Sequence, residues 1–111
     1  MDKKDKQTLV LKYFSLWNKR DLDGLSDVLG PFTKLQDWEG EHQGLAQVLE
    51  ANRRIFVEFE DASIEVKHIA FSKSKLFAEI GIHGVLEESL NVVDVFEFAE
   101  DKIISVTAYR I

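Results

Sequence analysis

A chain of 111 residues with 45% hydrophobic, 31% charged and 11% aromatic residues has the make-up of one folded domain, and at this size it buries roughly 65% of the surface its unfolded form exposes. That allows a core and a small cavity, while the lack of cysteine removes disulfides, thiolate nucleophiles, iron–sulfur clusters and cysteine-based zinc sites. Fourteen Lys and Arg against twenty Asp and Glu give a net charge of −6, and the only basic cluster is Lys3, Lys4 and Lys6, so no phosphate-neutralising surface for nucleic acid or an anionic membrane is expected.

No apolar run exceeds three residues, as in Ile55-Phe56-Val57, against the ~20 needed to span a bilayer. Met1 to Gln7 is rich in Lys and Asp and leads into no apolar stretch with a small-residue cleavage site, so the expectation is a cytoplasmic protein without a secretory signal. Residues 1–111 contain no repeat, linker or low-complexity stretch and read as a single domain.

From Asp5 to Lys19 the apolar positions Val10, Tyr13, Phe14 and Trp17 recur at i, i+3, i+4 and i+7, which predicts an amphipathic first helix. Asp21 can cap a short second helix with the stripe Leu22, Leu25, Val28 and Leu29, ended by Gly30-Pro31. Phe32 to Trp38 reads as a short strand, and Glu39 to Gly44 as a turn. Leu45, Val48, Leu49, Asn52, Ile55, Phe56 and Phe59 then mark a third helix of about four turns.

The remaining segments, Ser63–Ser72, Leu76–Glu87, Leu90–Ala99 and Ile103–Ile111, are rich in Ile, Val and Phe and divided by short polar turns. Four sequential strands with short connections imply antiparallel hairpins, and helices segregated to one face of such a sheet make an α+β domain. In the third of these strands Asn91, Val93, Val95 and Glu97 alternate with Val92, Asp94, Phe96 and Phe98, so both faces are largely apolar. One face packs on the helices; the other needs cover, which a homodimer supplies most simply.

Three residues invite chemistry. Alternation sets Asp94 among Val92, Phe96 and Phe98, where an ionised carboxylate is costly unless paired, with Arg110 one possible partner, or protonated. A neutral Asp in such a place can donate a hydrogen bond to a developing oxyanion. Tyr13 lies on the buried stripe of the first helix, where its hydroxyl needs a partner, either within the core or on a substrate. Asp37, beside Trp38, suits a general base as well as a turn-initiating residue that caps its own backbone, and Glu39 is the rival base. Asp37, Glu39, Glu41 and His42 match no metal-ligand spacing, so no metal is expected. His68 reads as an edge or core residue on the face of Ile64 and Val66, and His83 as a residue near a pocket that could serve as base in a dehydratase-type reaction.

The run Tyr13 to Leu25, the segment Asp37-Trp38-Glu39-Gly40 with Gly44 after it, and Asn91 to Phe98 followed by Asp101-Lys102-Ile103 and Ala108-Tyr109 resemble ketosteroid isomerase and its SnoaL-like, NTF2-like relatives. The resemblance covers nearly the whole chain. It implies an α+β, NTF2-like (cystatin-like) cone, with three helices on a curved antiparallel sheet that encloses a pocket. It also implies Tyr13 at the oxyanion-binding tyrosine, Asp37 at the proton-shuttling aspartate and Asp94 at the aspartic acid kept neutral. That neutral-acid pattern is the known behaviour of ketosteroid isomerase and is borrowed from it. The implied activity is cofactor-independent proton transfer next to a carbonyl, of isomerase or cyclase type, on a small apolar or carbonyl-bearing ligand; a non-catalytic binding or association module is the alternative on the same fold. The pocket wall is expected to contain Trp17, Trp38, Phe56, Val92, Phe96, Val106, Ala108 and Arg110. Trp38 stands where the steroid isomerases commonly have proline, and Arg110 follows the strand parity of Val106 and Ala108 toward the entrance, which favours a smaller or anionic substrate over a steroid.

Overall fold

The computed structural model describes residues 1–111. Helix α1 (Lys3–Asn18) is started by Asp2, whose carboxylate accepts the Asp5 N–H at 2.8 Å, and it buries Val10, Tyr13, Phe14 and Trp17. Asp21 does the same for α2 (Leu22–Val28), accepting the Gly24 N–H at 2.9 Å. A Cβ on Gly24 would sit 2.6 Å from the Leu16 side chain, so glycine is what lets α2 lie against α1.

The second helix ends at Val28, one residue short of the expected Leu29, because Leu29 and Gly30-Pro31 belong to strand β1 (Leu29–Gln36). Proline is tolerated there because β1 is irregular between Leu29 and Lys34, where its register against the neighbouring strand shifts. The expected turn Glu39–Gly44 is only partly a turn: Asp37 to Gly40 form the loop of a hairpin, and Glu41–Gln43 is a three-residue strand, β2, that pairs antiparallel with β1. Gly44, at φ +86°, turns the chain from β2 into α3 (Leu45–Glu58). The meander follows as β3 (Ser63–Ser72), β4 (Lys75–His83), β5 (Leu90–Ala99) and β6 (Lys102–Arg110).

The six strands lie in the order β2-β1-β6-β5-β4-β3. Three helices on a curved sheet are as expected, but the sheet is mixed, since β1 runs parallel to β6. A parallel pair needs a long crossover, and the chain from β1 to β6, including α3, supplies it. Helix α1 lies along β3 and α3 over β1 and β2, so the inner faces of β4, β5 and β6 sit beneath both helices. Register shifts at Val66/His68 and at Glu97/Phe98 mark bulges, which bend strands and increase their twist. The first moves His68 to the outer face, opposite Glu79, so it does not share the face of Ile64 and Val66 as simple alternation predicts.

Two side chains tie the end of α1 to the start of the meander. Asn18 donates to the Ile64 carbonyl at 2.9 Å and accepts the Ile64 N–H at 2.7 Å. Arg20, in the left-handed region at φ 57°, donates to the carbonyls of Phe59, Glu60 and Ala62 and lies over the Phe56 ring. Its guanidinium satisfies carbonyls at the C-terminal end of α3 that have no partner within the helix. Arg20→Ala is expected to lower stability by about 1–3 kcal/mol, read as a lower urea midpoint at unchanged slope. An unchanged midpoint would mean that water serves those carbonyls equally well.

Candidate active site

A cavity of about 280 Å³ opens between α1, α3 and the inner face of the sheet. Its volume sits near the lower end of the range for small-molecule sites, roughly 300–1,000 Å³. Most of the wall is aliphatic and aromatic, and few polar groups interrupt it: Tyr13, Asp37, Glu39, Asn52, Asp94 and Arg110, with the indole of Trp17.

Tyr13 and Asp94 occupy the deep part. The α1 stripe carries Tyr13 inward, leaving it 4% exposed, and the alternation of β5 does the same for Asp94, 7% exposed. The Tyr13 ring is fixed by edge-to-face contacts with Phe14 at 5.4 Å and Phe96 at 5.6 Å. Neither the Tyr13 hydroxyl nor the Asp94 carboxyl makes a hydrogen bond or ion pair with another part of the chain, and both residues line the cavity. Burial pushes the Asp94 carboxyl up to about 7, with the nearby charge of Asp37 adding to the rise. Burial and, secondarily, the charge of Asp94 also raise the Tyr13 hydroxyl above its usual range. At and below neutrality, therefore, two buried O–H donors face one apolar space.

Asp37 lies at the rim, half-buried, where the β1–β2 hairpin turns. Its Oδ1 accepts the Glu39 N–H at 2.8 Å and the Gly40 N–H at 3.1 Å, while Oδ2 has no hydrogen-bond partner in the chain. The turn-capping reading and the cavity-facing reading of Asp37 thus hold together: one oxygen anchors the carboxylate and the other is free. Trp38, 44% exposed, forms the outer wall beside it, and the Arg110 guanidinium lies 5.9 Å from its ring centroid. Arg110 forms no ion pair with Asp94.

Trp17, Trp38, Val92, Val106, Ala108 and Arg110 line the cavity with the three polar candidates. Phe56 and Phe96, expected in the wall, stand behind it. Phe96 is fully buried against Tyr13 and Phe14, and Phe56 meets the Trp17 ring edge-on at 4.9 Å, so they hold wall residues in position without touching the space. Both histidines stand away from it: His83 contacts Glu65 and Ser89, and His68 faces out near Glu79. The dehydratase reading therefore loses its base.

Asn52 is a wall residue that pattern reading passed over. It is buried in α3, accepts the Trp17 indole N–H at 3.0 Å and donates to the Val48 carbonyl at 3.1 Å. The signal was available as the one polar residue on an otherwise apolar helical stripe. Phe59, Ile64, Ile82 and the Val85-Leu86 loop also belong to the wall, and only the folded chain brings them there.

No curated protein matches the chain. Several solved structures share its fold. A candidate polyketide cyclase from Sinorhizobium meliloti is 18% identical with a TM-score of 0.85, over 91% of this chain and 93% of its own. A candidate ketosteroid isomerase from Kribbella flavida is 18% identical with a TM-score of 0.84, over 97% and 78%. A protein with a ketosteroid isomerase-like fold from Catenulispora acidiphila, solved with trimethylamine, is 13% identical with a TM-score of 0.81, over 91% and 83%. Identities this low establish shared architecture and no more. The sequence profile of the SnoaL-like domain, however, matches residues 10–106, and the chain belongs to that family.

Proposed function

We propose that this protein is a cofactor-independent enzyme that moves a proton next to a carbonyl group, as an isomerase or a cyclase does. The observation that carries the reading is the pair of buried, unpartnered groups, Tyr13 and Asp94, in a cavity that Asp37 also lines. The carbonyl oxygen of a bound substrate accepts hydrogen bonds from the Tyr13 hydroxyl and the neutral Asp94 carboxyl. The Asp37 carboxylate takes the α-proton and the charge moves onto the oxygen as an enolate; Asp37 then returns the proton at another carbon, or the enolate carbon adds to a second carbonyl of the substrate, whose C=O π bond opens to an alkoxide that takes the proton from Asp37. A positioned base supplies on the order of 10²–10⁴-fold, and each oxyanion donor roughly 10²–10³-fold.

The hydrogen bonds that Asp37 Oδ1 receives from its own turn favour one rival, a binding module in which the carboxylate is structural. The two readings separate in a screen of enolisable ketones by deuterium exchange in heavy water. Asp37→Asn is expected to keep ligand binding and lose exchange by about 10²-fold or more. Exchange that persists at the native rate removes the base assignment.

The outer face of the sheet supports a second element of the proposal. Ala70, Phe77, Val95 and Thr107 form one cross-strand row, with Val93 and Tyr109 beside it, and the Lys75–Glu97 ion pair and the His68–Glu79 contact fringe it. A second copy of the chain is the proposed cover. Light scattering is expected to give twice the chain mass for the native protein and a single-chain mass for Val95→Glu; a native monomer excludes the homodimer.

Asp94 yields a pH prediction with a defined sign. Its folded-state value of about 7 lies above the ordinary value of 3.8, so the native state holds a proton that the unfolded chain releases. The stability tied to this group is full below about pH 4, falls as pH rises from there to about 7, and is flat above. In paired unfolding curves Asp94→Asn should gain on the native protein across that window. A constant difference from pH 4 to 8 would mean that the carboxyl is not held neutral.

A further inference from the structure

The cavity's charges are arranged unevenly. Its acids, Asp37, Glu39 and Asp94, are joined by one base, Arg110. Arg110 is the last residue of β6 and pairs with Val92, one inward-facing position beyond the Ala108–Asp94 pair. Two residues of strand put it roughly 7 Å from the level of Asp94, toward the mouth. Its guanidinium forms no ion pair or hydrogen bond, although two rim carboxylates line the same cavity, and it rests over the Trp38 ring. Stacking on an indole aims a guanidinium without consuming its donors.

We infer that Arg110 is a specificity-determining residue that receives a carboxylate, and that the substrates are small enolisable ketones bearing a carboxylate a few carbons from the carbonyl. The inference rests on the proton-transfer reading of the same cavity and adds the identity of the substrate's far end. The planar guanidinium presents a fork of donors that matches a carboxylate two-to-two. Its position requires the ligand to reach from the Tyr13–Asp94 level to the mouth, about the span of a five- or six-carbon keto acid. The acids at the rim sharpen the requirement: with Asp37 and Glu39 nearby, an anion enters only where a cation offsets them. Trp38 has a part in this, because it holds the guanidinium at the edge of the cavity and closes one side of the path.

The test uses 5-oxohexanoate and its methyl ester, which differ in charge and little in shape, titrated by NMR into the native protein, Arg110→Gln and Asp37→Asn. The native protein is expected to bind the carboxylate about tenfold or more tighter than the ester, and Arg110→Gln to lose about tenfold or more on the carboxylate while its affinity for the ester stays within about twofold. Asp37→Asn is expected to keep the preference for the carboxylate even as α-proton exchange disappears, so binding selectivity and exchange report on separate claims. Equal affinity of the native protein for the two compounds, no binding of either, or an equal loss of both in Arg110→Gln overturns the assignment. Preserved selectivity with native exchange in Asp37→Asn overturns the proton-transfer reading and leaves the carboxylate site standing.

Discussion

An ionisable group in an apolar interior must be paired, neutralised or hydrogen-bonded, because leaving it charged and alone costs several kcal/mol. Asp94 meets that demand by holding its proton: nothing in the chain pairs with it, and burial keeps it near neutrality where an ordinary aspartate is fully charged. Its neighbours on the inner face of β5, Val92 and Phe96, exclude water on either side of it, and Phe96 also braces the ring of Tyr13. The same packing that makes the carboxyl a donor therefore places the second donor. A core built only for stability would have an aliphatic side chain here, which would remove the cost.

A chain of this length can keep an open cavity only if its walls are propped from behind. Phe56 and Phe96 do this for Trp17 and Tyr13, and Asn52 fixes the Trp17 indole through a buried hydrogen bond that itself is secured to the α3 backbone. Bulges in the β3–β4 and β5–β6 pairings bend their strands and increase the twist of the sheet. Asn18 and Arg20 then fasten the end of α1 to the first strand of the meander and the turn before it, so that the elements supplying Tyr13 and Asn52 share an anchor.

The helices and the meander were legible in the sequence because each carries its period over many residues: Val10, Tyr13, Phe14 and Trp17 leave little choice, and neither does the alternation of β5. The local burial of Asp94 was legible for the same reason, since its neighbours in sequence are its neighbours on the sheet face. What failed was information that is not local. The parallel pairing of β1 with β6 leaves no mark within either strand, and β2 is too short for alternation to register. A bulge changes parity at a point that composition does not mark, which is why His68 was assigned to the wrong face. Phe56 and Phe96 are buried without lining the cavity, and burial toward the core and burial toward a cavity look identical in a periodic pattern.

These two kinds of information divide the site along its depth. The inner end is an apolar environment whose chemistry follows from desolvation, and desolvation is written in the residues flanking Asp94 and Tyr13. The outer end is made by the Asp37–Gly40 turn, Trp38 and Arg110, which come from opposite ends of the chain and meet only because β1 lies beside β6. Parallel pairing thus brings a turn carrying two carboxylates to the same rim as the last cation of the chain. Within one small cavity, burial governs the character of the Tyr13 and Asp94 groups, and sheet topology governs which charges stand at the rim. A substitution at the rim that leaves the core intact can therefore change the charge at the mouth without altering the buried pair at the deep end.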